Sequence, residues 1–173
     1  MRKLILTVCK GNIYRSVIAE VVIGKQITAR GLQDLYCVES RGIQGTHGIK
    51  PPQYKNIRSY PRHWELTQQS LSPFEIIIPE EKEATPVDDD IVERASIVLA
   101  LDASVYGTDA SGLVGMFPWA KQKIRLLSEL AGEIRDIRDP HDDLRLHVFS
   151  EVARDIHDTI SNHFDVLLAL ASR

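Results

Sequence analysis

Cysteine is scarce in this 173-residue chain, with only Cys9 and Cys37 present. Two cysteines make no disulfide framework, and a lone thiol in a loop suits a reducing compartment, so a cytoplasmic location is expected. No apolar run approaches the roughly 18 residues of a membrane-spanning helix. An apolar strand starts almost at once, so no secretory leader and no membrane association are expected. Basic residues form no block and the net charge is −3, which argues against a nucleic-acid partner. The six histidines include no HExxH pair or closed metal set; His47 and His63 read as surface residues. Asp88-Asp89-Asp90 lacks a calcium-loop pattern. Gly42-x-x-Gly45-x-x-Gly48 opens no clear helix, so it is no dinucleotide fingerprint, and no Walker loop occurs. No metal and no cofactor are expected.

What remains reads as one globular domain. Hydrophobic content of 43% and charged content of 26% are ordinary for such a chain, and its length allows a sizeable core. Lys3 to Val8 is nearly all apolar, as in a buried parallel strand. A helix is predicted over about 16–30, ending at Gly31, and then a short strand over 35–38. Strand–helix–strand within the first forty residues is the unit of a right-handed parallel crossover. Residues 54–71 show patchy helical character interrupted by Pro61, and 74–78 fit either a short strand or a packed loop. Residues 79–86 read as a surface connection. Asp88 to Asp90 open a short helix through Arg94, and Ser96 to Leu101 is the clearest later strand. A weak helix is placed around 103–110, and 123–127 is open between strand and helix. Phe149, Val152, Ile156, Ile160, Phe164 and Leu167 recur along one stripe, predicting a single last helix with Asp142 and Asp143 at its start.

Between the first strand and the first helix lies Cys9-Lys10-Gly11-Asn12-Ile13-Tyr14-Arg15-Ser16. A helix N-terminus offers unpaired N–H groups and a dipole that favour negative charge. Successive N–H groups from Lys10 to Arg15 would form an anion nest, and Arg15 adds a fork that fits two phosphate oxygens. Gly11 permits a sharp turn and Asn12 tolerates a left-handed conformation. The Ser16 hydroxyl could donate to the Cys9 sulfur and favour the reactive thiolate. The bland alternative is a buried cysteine beside an ordinary strand end, since a cysteine and arginine at this spacing occur often by chance.

Val8-Cys9-x-Gly11-Asn12-Ile13-x-Arg15-Ser16, followed by Ala19-Glu20, resembles the phosphate-binding loop of low-molecular-weight protein tyrosine phosphatases. Asp139-Pro140 resembles that family's late Asp-Pro pair. Ser40 with Gly42, Leu99-Ala100-Leu101-Asp102, and 123–127 as a fourth strand are weaker echoes. The resemblance implies a three-layer α/β/α domain over 1–173 with a four-stranded parallel sheet in the order 2-1-3-4. It also implies a metal-independent phosphomonoester hydrolase working through a cysteinyl-phosphate, with turnover best at mildly acidic pH. Cys9, Arg15 and Asp139 would be catalytic, Lys10 to Ser16 would bind phosphate, and Asn12, Ser16 and Ser40 would support the loop. Asp136 is the runner-up acid. The expected partner is a phosphorylated protein or small aryl phosphate, acted on by a monomer.

The chain departs from the family in several places. Tyr14 stands where many members have a second cysteine, so protection of an oxidised Cys9 should be absent; packing is its expected role. His141-Asp142 replaces the usual tyrosines, and 43–48 lacks the usual aromatic residue. Both changes touch the walls that grip a phosphotyrosine ring. Residues of about 53–86 form a divergent, insertion-like region whose Tyr54, Tyr60, Trp64 and Phe74 either rebuild a wall or lid or, the favoured reading, cover a satellite core. Cys37 reads as a core residue. Alternatives are a weakly active or inactive phosphate- or phosphoprotein-binding relative and, on the same fold, an arsenate reductase, for which the needed relay cysteines are missing.

Overall fold

A computed structural model describes residues 2–173. Four parallel strands, β1 (Lys3–Cys9), β2 (Tyr36–Gly42), β3 (Ala95–Ala100) and β4 (Ile124–Leu126), lie in the order β2-β1-β3-β4. This is the expected order, and 123–127 does contain the fourth strand. Both faces of the sheet are covered, which is why β1 carries no polar alternation. Ile5, Ile97 and Leu99 pack with helices α1 (Arg15–Ala29), α6 (Leu146–Asn162) and α7 (Phe164–Ala171), and with α2 (Pro61–Leu71). Leu4, Leu6, Val8 and Val98 pack with α3 (Asp89–Arg94), α4 (Ala103–Tyr106) and α5 (Leu113–Met116). The result is three layers around one single-domain sheet. Among the described residues no helix is long and apolar enough to cross a membrane.

Several local expectations need correction. Pro61 does not interrupt a helix; it starts α2, because a proline at the first helical position gives up only an N–H that would be unpaired anyway. Residues 74–78, open between strand and packed loop, are the packed loop: Glu75 is left-handed (φ 52°), Ile76 and Ile78 are buried and Ile77 is 80% exposed. The helix placed at 103–110 stops at Tyr106, and α5 follows it unforeseen. Gly107 and Gly112 touch so closely there that a Cβ on Gly112 would lie 2.3 Å from Gly107 Cα. The last helix is two, broken at His163, although its apolar stripe runs through the break. The bend lets α7 turn onto β1 and β3, and Arg30 grips it by pairing with Asp165 and lying over the Phe164 ring. Asp143 does not cap α6. Hydrogen bonds from Arg145 first, and the Arg138 charge beside it, hold its carboxyl down at about 2.

In the order β2-β1-β3-β4 the chain leaves β1 and β3 toward opposite sides. Such a switch opens a crevice at the carboxyl ends of those two strands. Cys9 ends β1 and Asp102 follows β3 at that place.

Ile156, fully buried where α6 meets α1, should on replacement by alanine cost about 2–5 kcal/mol. Ile77→Ser, at an 80% exposed site, should stay within about 0.5 kcal/mol of the parent, both variants being read by urea titration.

Candidate active site

The loop from Lys10 to Tyr14 links the end of β1 to the first turn of α1. Among the described residues, no backbone N–H from Lys10 to Tyr14 donates to a protein acceptor. A run of unpaired N–H groups beside the positive end of a 15-residue helix is an anion-binding arrangement. The left-handed residue is Asn12 (φ 54°), whereas Gly11 lies outside that region. Gly42 is the glycine the loop most needs, since a Cβ there would lie 2.8 Å from Asn12 N and Gly11 C.

Asn12 fixes the direction of every hydrogen bond beneath the loop. Its Oδ1 accepts the Thr85 N–H at 3.0 Å, so its Nδ2 must face the other way. Nδ2 donates to Ser16 Oγ at 3.0 Å and to Ser40 Oγ at 2.8 Å. Ser40 in turn donates to Glu20 Oε2 at 2.6 Å, and Lys82 Nζ pairs with that oxygen at 2.7 Å. Because Ser16 Oγ already accepts from Asn12, its own hydrogen is left for Cys9 Sγ, 3.0 Å away. A hydroxyl that donates to the sulfur favours the thiolate. Cys9 itself is only 3% exposed.

Arg15 is equally buried and reaches two distant chain segments. Nη1 donates to Asp102 Oδ2 at 2.6 Å and to the Ile137 carbonyl at 2.8 Å, and Nη2 donates to Asp139 Oδ2 at 2.7 Å. Burial works against its charge, but Cys9, Asp139 and Asp102 together outweigh it and push the guanidinium above its ordinary value. For Asp102, burial opposes ionisation; bonds from the Ser104 hydroxyl, the Val105 N–H and Arg15 overcome it and hold the carboxyl below the usual range.

Above the loop is a pocket of about 380 Å³. Cys9, Lys10, Gly11, Ile13, Tyr14, Arg15 and Asp139 all line it, while Asn12, Ser16 and Ser40 lie beneath as its support. Asp136 is elsewhere, accepting the Ala103 N–H at 2.7 Å. Tyr14 stacks edge-on against Phe149 and donates to the Phe149 carbonyl at 3.2 Å. Burial drives its phenol well above the ordinary value, partly offset by Ser70. Of the four aromatics in 53–86, Trp64 and Phe74 pack on the core, while Tyr60 forms pocket wall with Tyr54 against its edge.

Asp102 and His63 were missed as site residues. Asp102 carried a readable signal, a carboxylate at the end of a buried strand, parallel to Cys9. His63, read as surface, is half-buried and lines the pocket beside His141; nothing in the local sequence marks it. Among the described residues, no group of three or more His, Cys, Asp or Glu is arranged to hold a metal ion.

Several solved structures share this fold. A phosphatase from T. tengcongensis superposes with TM-score 0.74 at 23% identity, covering 94% of this chain and 98% of that one. A YwlE mutant from Bacillus subtilis gives 0.71 at 20% identity, covering 96% and 99%. The human low molecular weight phosphotyrosine protein phosphatase is 31% identical over 84 residues, 44% of this chain and 53% of the relative. The matched chain thus spans about half the length of that curated relative. A second such phosphatase from Drosophila melanogaster is 39% identical over 59 residues, 34% of this chain and 36% of the other. The sequence model described as low molecular weight phosphotyrosine protein phosphatase matches residues 4–172, nearly end to end, and the chain belongs to that family.

Proposed function

We propose that the protein hydrolyses phosphomonoesters through Cys9, Arg15 and Asp139. The carrying observation is the Cys9 sulfur, 3.0 Å from the Ser16 hydroxyl beside a loop of unpaired N–H groups, with Arg15 and Asp139 in the same pocket. In the first step the thiolate attacks phosphorus, an S–P bond forms, and the P–O bond to the leaving group breaks. Asp139 gives its proton to the departing oxygen. In the second step water attacks phosphorus, Asp139 takes a proton from it, and the S–P bond breaks to return the thiolate and release phosphate. Arg15 and the loop N–H groups stabilise charge on the equatorial oxygens. Before substrate enters, Asp139 neutralises Arg15. A phosphoryl group can take over that Nη2 and free the carboxyl for the leaving oxygen. Asp102 keeps its own hold on Nη1 throughout.

The substrate class is an aryl phosphate, free or on a protein. Ile13, Ile57, Tyr60 and Phe149 give the pocket an apolar and aromatic lining suited to a ring. Arginine phosphatases share the fold, and Asp139 and Asp142 lie in this pocket, so phosphoarginine is the informative comparator. Arsenate reduction finds no support: Cys37 pairs with Leu4, whereas Cys9 pairs with Gly42. That is five residues down the sheet, about 16 Å from the loop. The site is proposed to act in the cytoplasm, as a monomer, with 53–86 an insertion in the single domain.

Cys9→Ser should abolish hydrolysis of p-nitrophenyl phosphate, and Asp139→Asn should lower kcat about a hundredfold or more. Full activity of the Cys9→Ser protein would sink the proposal. Phosphotyrosine peptides should be cleaved faster than phosphoarginine peptides.

Asp102→Asn should raise KM by loosening Arg15. It should also lower stability at neutral pH, because a carboxyl whose pKa is depressed by folding stabilises the fold above its unfolded value, about 3.9. That contribution fades as pH falls through the lower folded value. The gap in thermal midpoint between parent and variant should therefore narrow below about pH 4.

A further inference from the structure

α2 reaches the pocket from both sides. His63, Thr67 and Ser70 recur at helical spacing and share one face, the face turned toward α6. Ser70 Oγ is 3.3 Å from the Tyr14 hydroxyl in the phosphate loop. Two turns nearer the N-terminus, His63 Nε2 is 3.0 Å from the His141 carbonyl oxygen, in the loop that carries Asp139. A carbonyl can only accept, so Nε2 bears the hydrogen and donates. On its other side, the His141 N–H donates to Asp139 Oδ1 at 3.1 Å. One residue thus links the two bonds. The imidazole of α2 holds the carbonyl of the residue whose N–H holds the acid.

The rings around this link fix His63 in place. Its ring lies 5.0 Å from that of His141 at 31°, 5.5 Å from Tyr60 edge-on, and 6.1 Å from Phe149. Its own carbonyl accepts the Thr67 hydroxyl at 2.6 Å. Asp139 needs such a hold. Its side chain is 44% exposed, and its other anchor, Arg15 Nη2, is the group that an incoming phosphoryl takes over. Once Arg15 is engaged with substrate, the His141 N–H is the contact that keeps the carboxyl over the leaving oxygen.

We propose that His63 is a positioning residue for the general acid: its Nε2–H anchors the His141 carbonyl and thereby aims Asp139 at the leaving group. This rests on the reading of Asp139 as the acid. It gives the 53–86 segment a part in the chemistry as well as in the wall.

A mispositioned acid hurts most where the leaving oxygen most needs a proton, and a displacement of about 1 Å can lower rate a hundredfold. The readout is therefore kcat/KM on two substrates, phenyl phosphate and 2,4-dinitrophenyl phosphate, whose phenol leaves readily unprotonated. His63→Phe keeps the ring and its volume but removes the donor. His63→Gln loses the ring but places an amide N–H at the same number of bonds from Cα. For His63→Phe, phenyl phosphate should lose about tenfold or more and 2,4-dinitrophenyl phosphate about threefold or less. His63→Gln should recover most of the loss. Equal losses on both substrates, no loss, or a Gln variant as impaired as the Phe variant would overturn the proposal. Asp139→Asn run alongside separates the two claims. If it shows no preference for the better leaving group, the acid assignment itself fails. If it shows that preference and His63→Phe does not, only the role of His63 fails.

Discussion

The Arg15 guanidinium is the interaction on which the site depends. It is 3% exposed at the first residue of α1. A cation so placed must be paired or it will not stay charged inside a protein. Two carboxylates and a backbone carbonyl, from the end of β3 and from the segment 137–139, supply the pairing. The requirement draws three distant stretches of chain to one point. The acid loop lies over the cysteine because its aspartate is part of the charge balance of the arginine. Removing either carboxylate leaves the other bearing more of a buried charge, and the two differ in setting: the Asp102 side chain is 13% exposed and that of Asp139 is 44% exposed.

A second constraint works beneath the loop and is one of direction. The Thr85 N–H settles which way the Asn12 amide points. That settles what Ser16 can accept, and so what is left for Cys9. A backbone donor over seventy residues away in sequence thereby fixes the amide that bonds the Ser16 hydroxyl, which in turn bonds the Cys9 sulfur. The left-handed backbone at Asn12 places the amide where it can do this, and Gly42 leaves it the room.

The parts legible in the sequence are those whose signal is local. An apolar strand, a cysteine–arginine turn and a helix start lie within about twenty residues, and from them the first strand, the loop and its helix could be read, while the sheet order came from the family resemblance those residues carry. Asp139 was legible through its following proline and its place before the last helix. What could not be read depends on contacts between distant segments. The break at His163 has no proline or glycine to announce it and answers to the fit of α7 against the sheet. Pro61 was misread because a proline inside a helical pattern and a proline at its start look alike until the preceding turn is known. His63 carries no motif at all; its importance is its distance from a carbonyl seventy-eight residues later.

The division between chemistry and selectivity also follows the fold. Groups that handle phosphorus stand at the carboxyl ends of β1 and β3, on a sheet buried on both faces, and their geometry is set by the core. The pocket-wall residues Tyr60, His63 and His141 come from surface segments joined to each other by ring contacts. Where a family usually presents tyrosines, this chain presents two imidazoles and a tyrosine borrowed from another segment. Imidazole rings still offer a flat face to an aromatic substituent, but they add hydrogen-bonding edges that a phenyl wall lacks. These rings stand on the wall of the pocket, apart from the Asn12, Ser16 and Ser40 bonds that support the Cys9 loop.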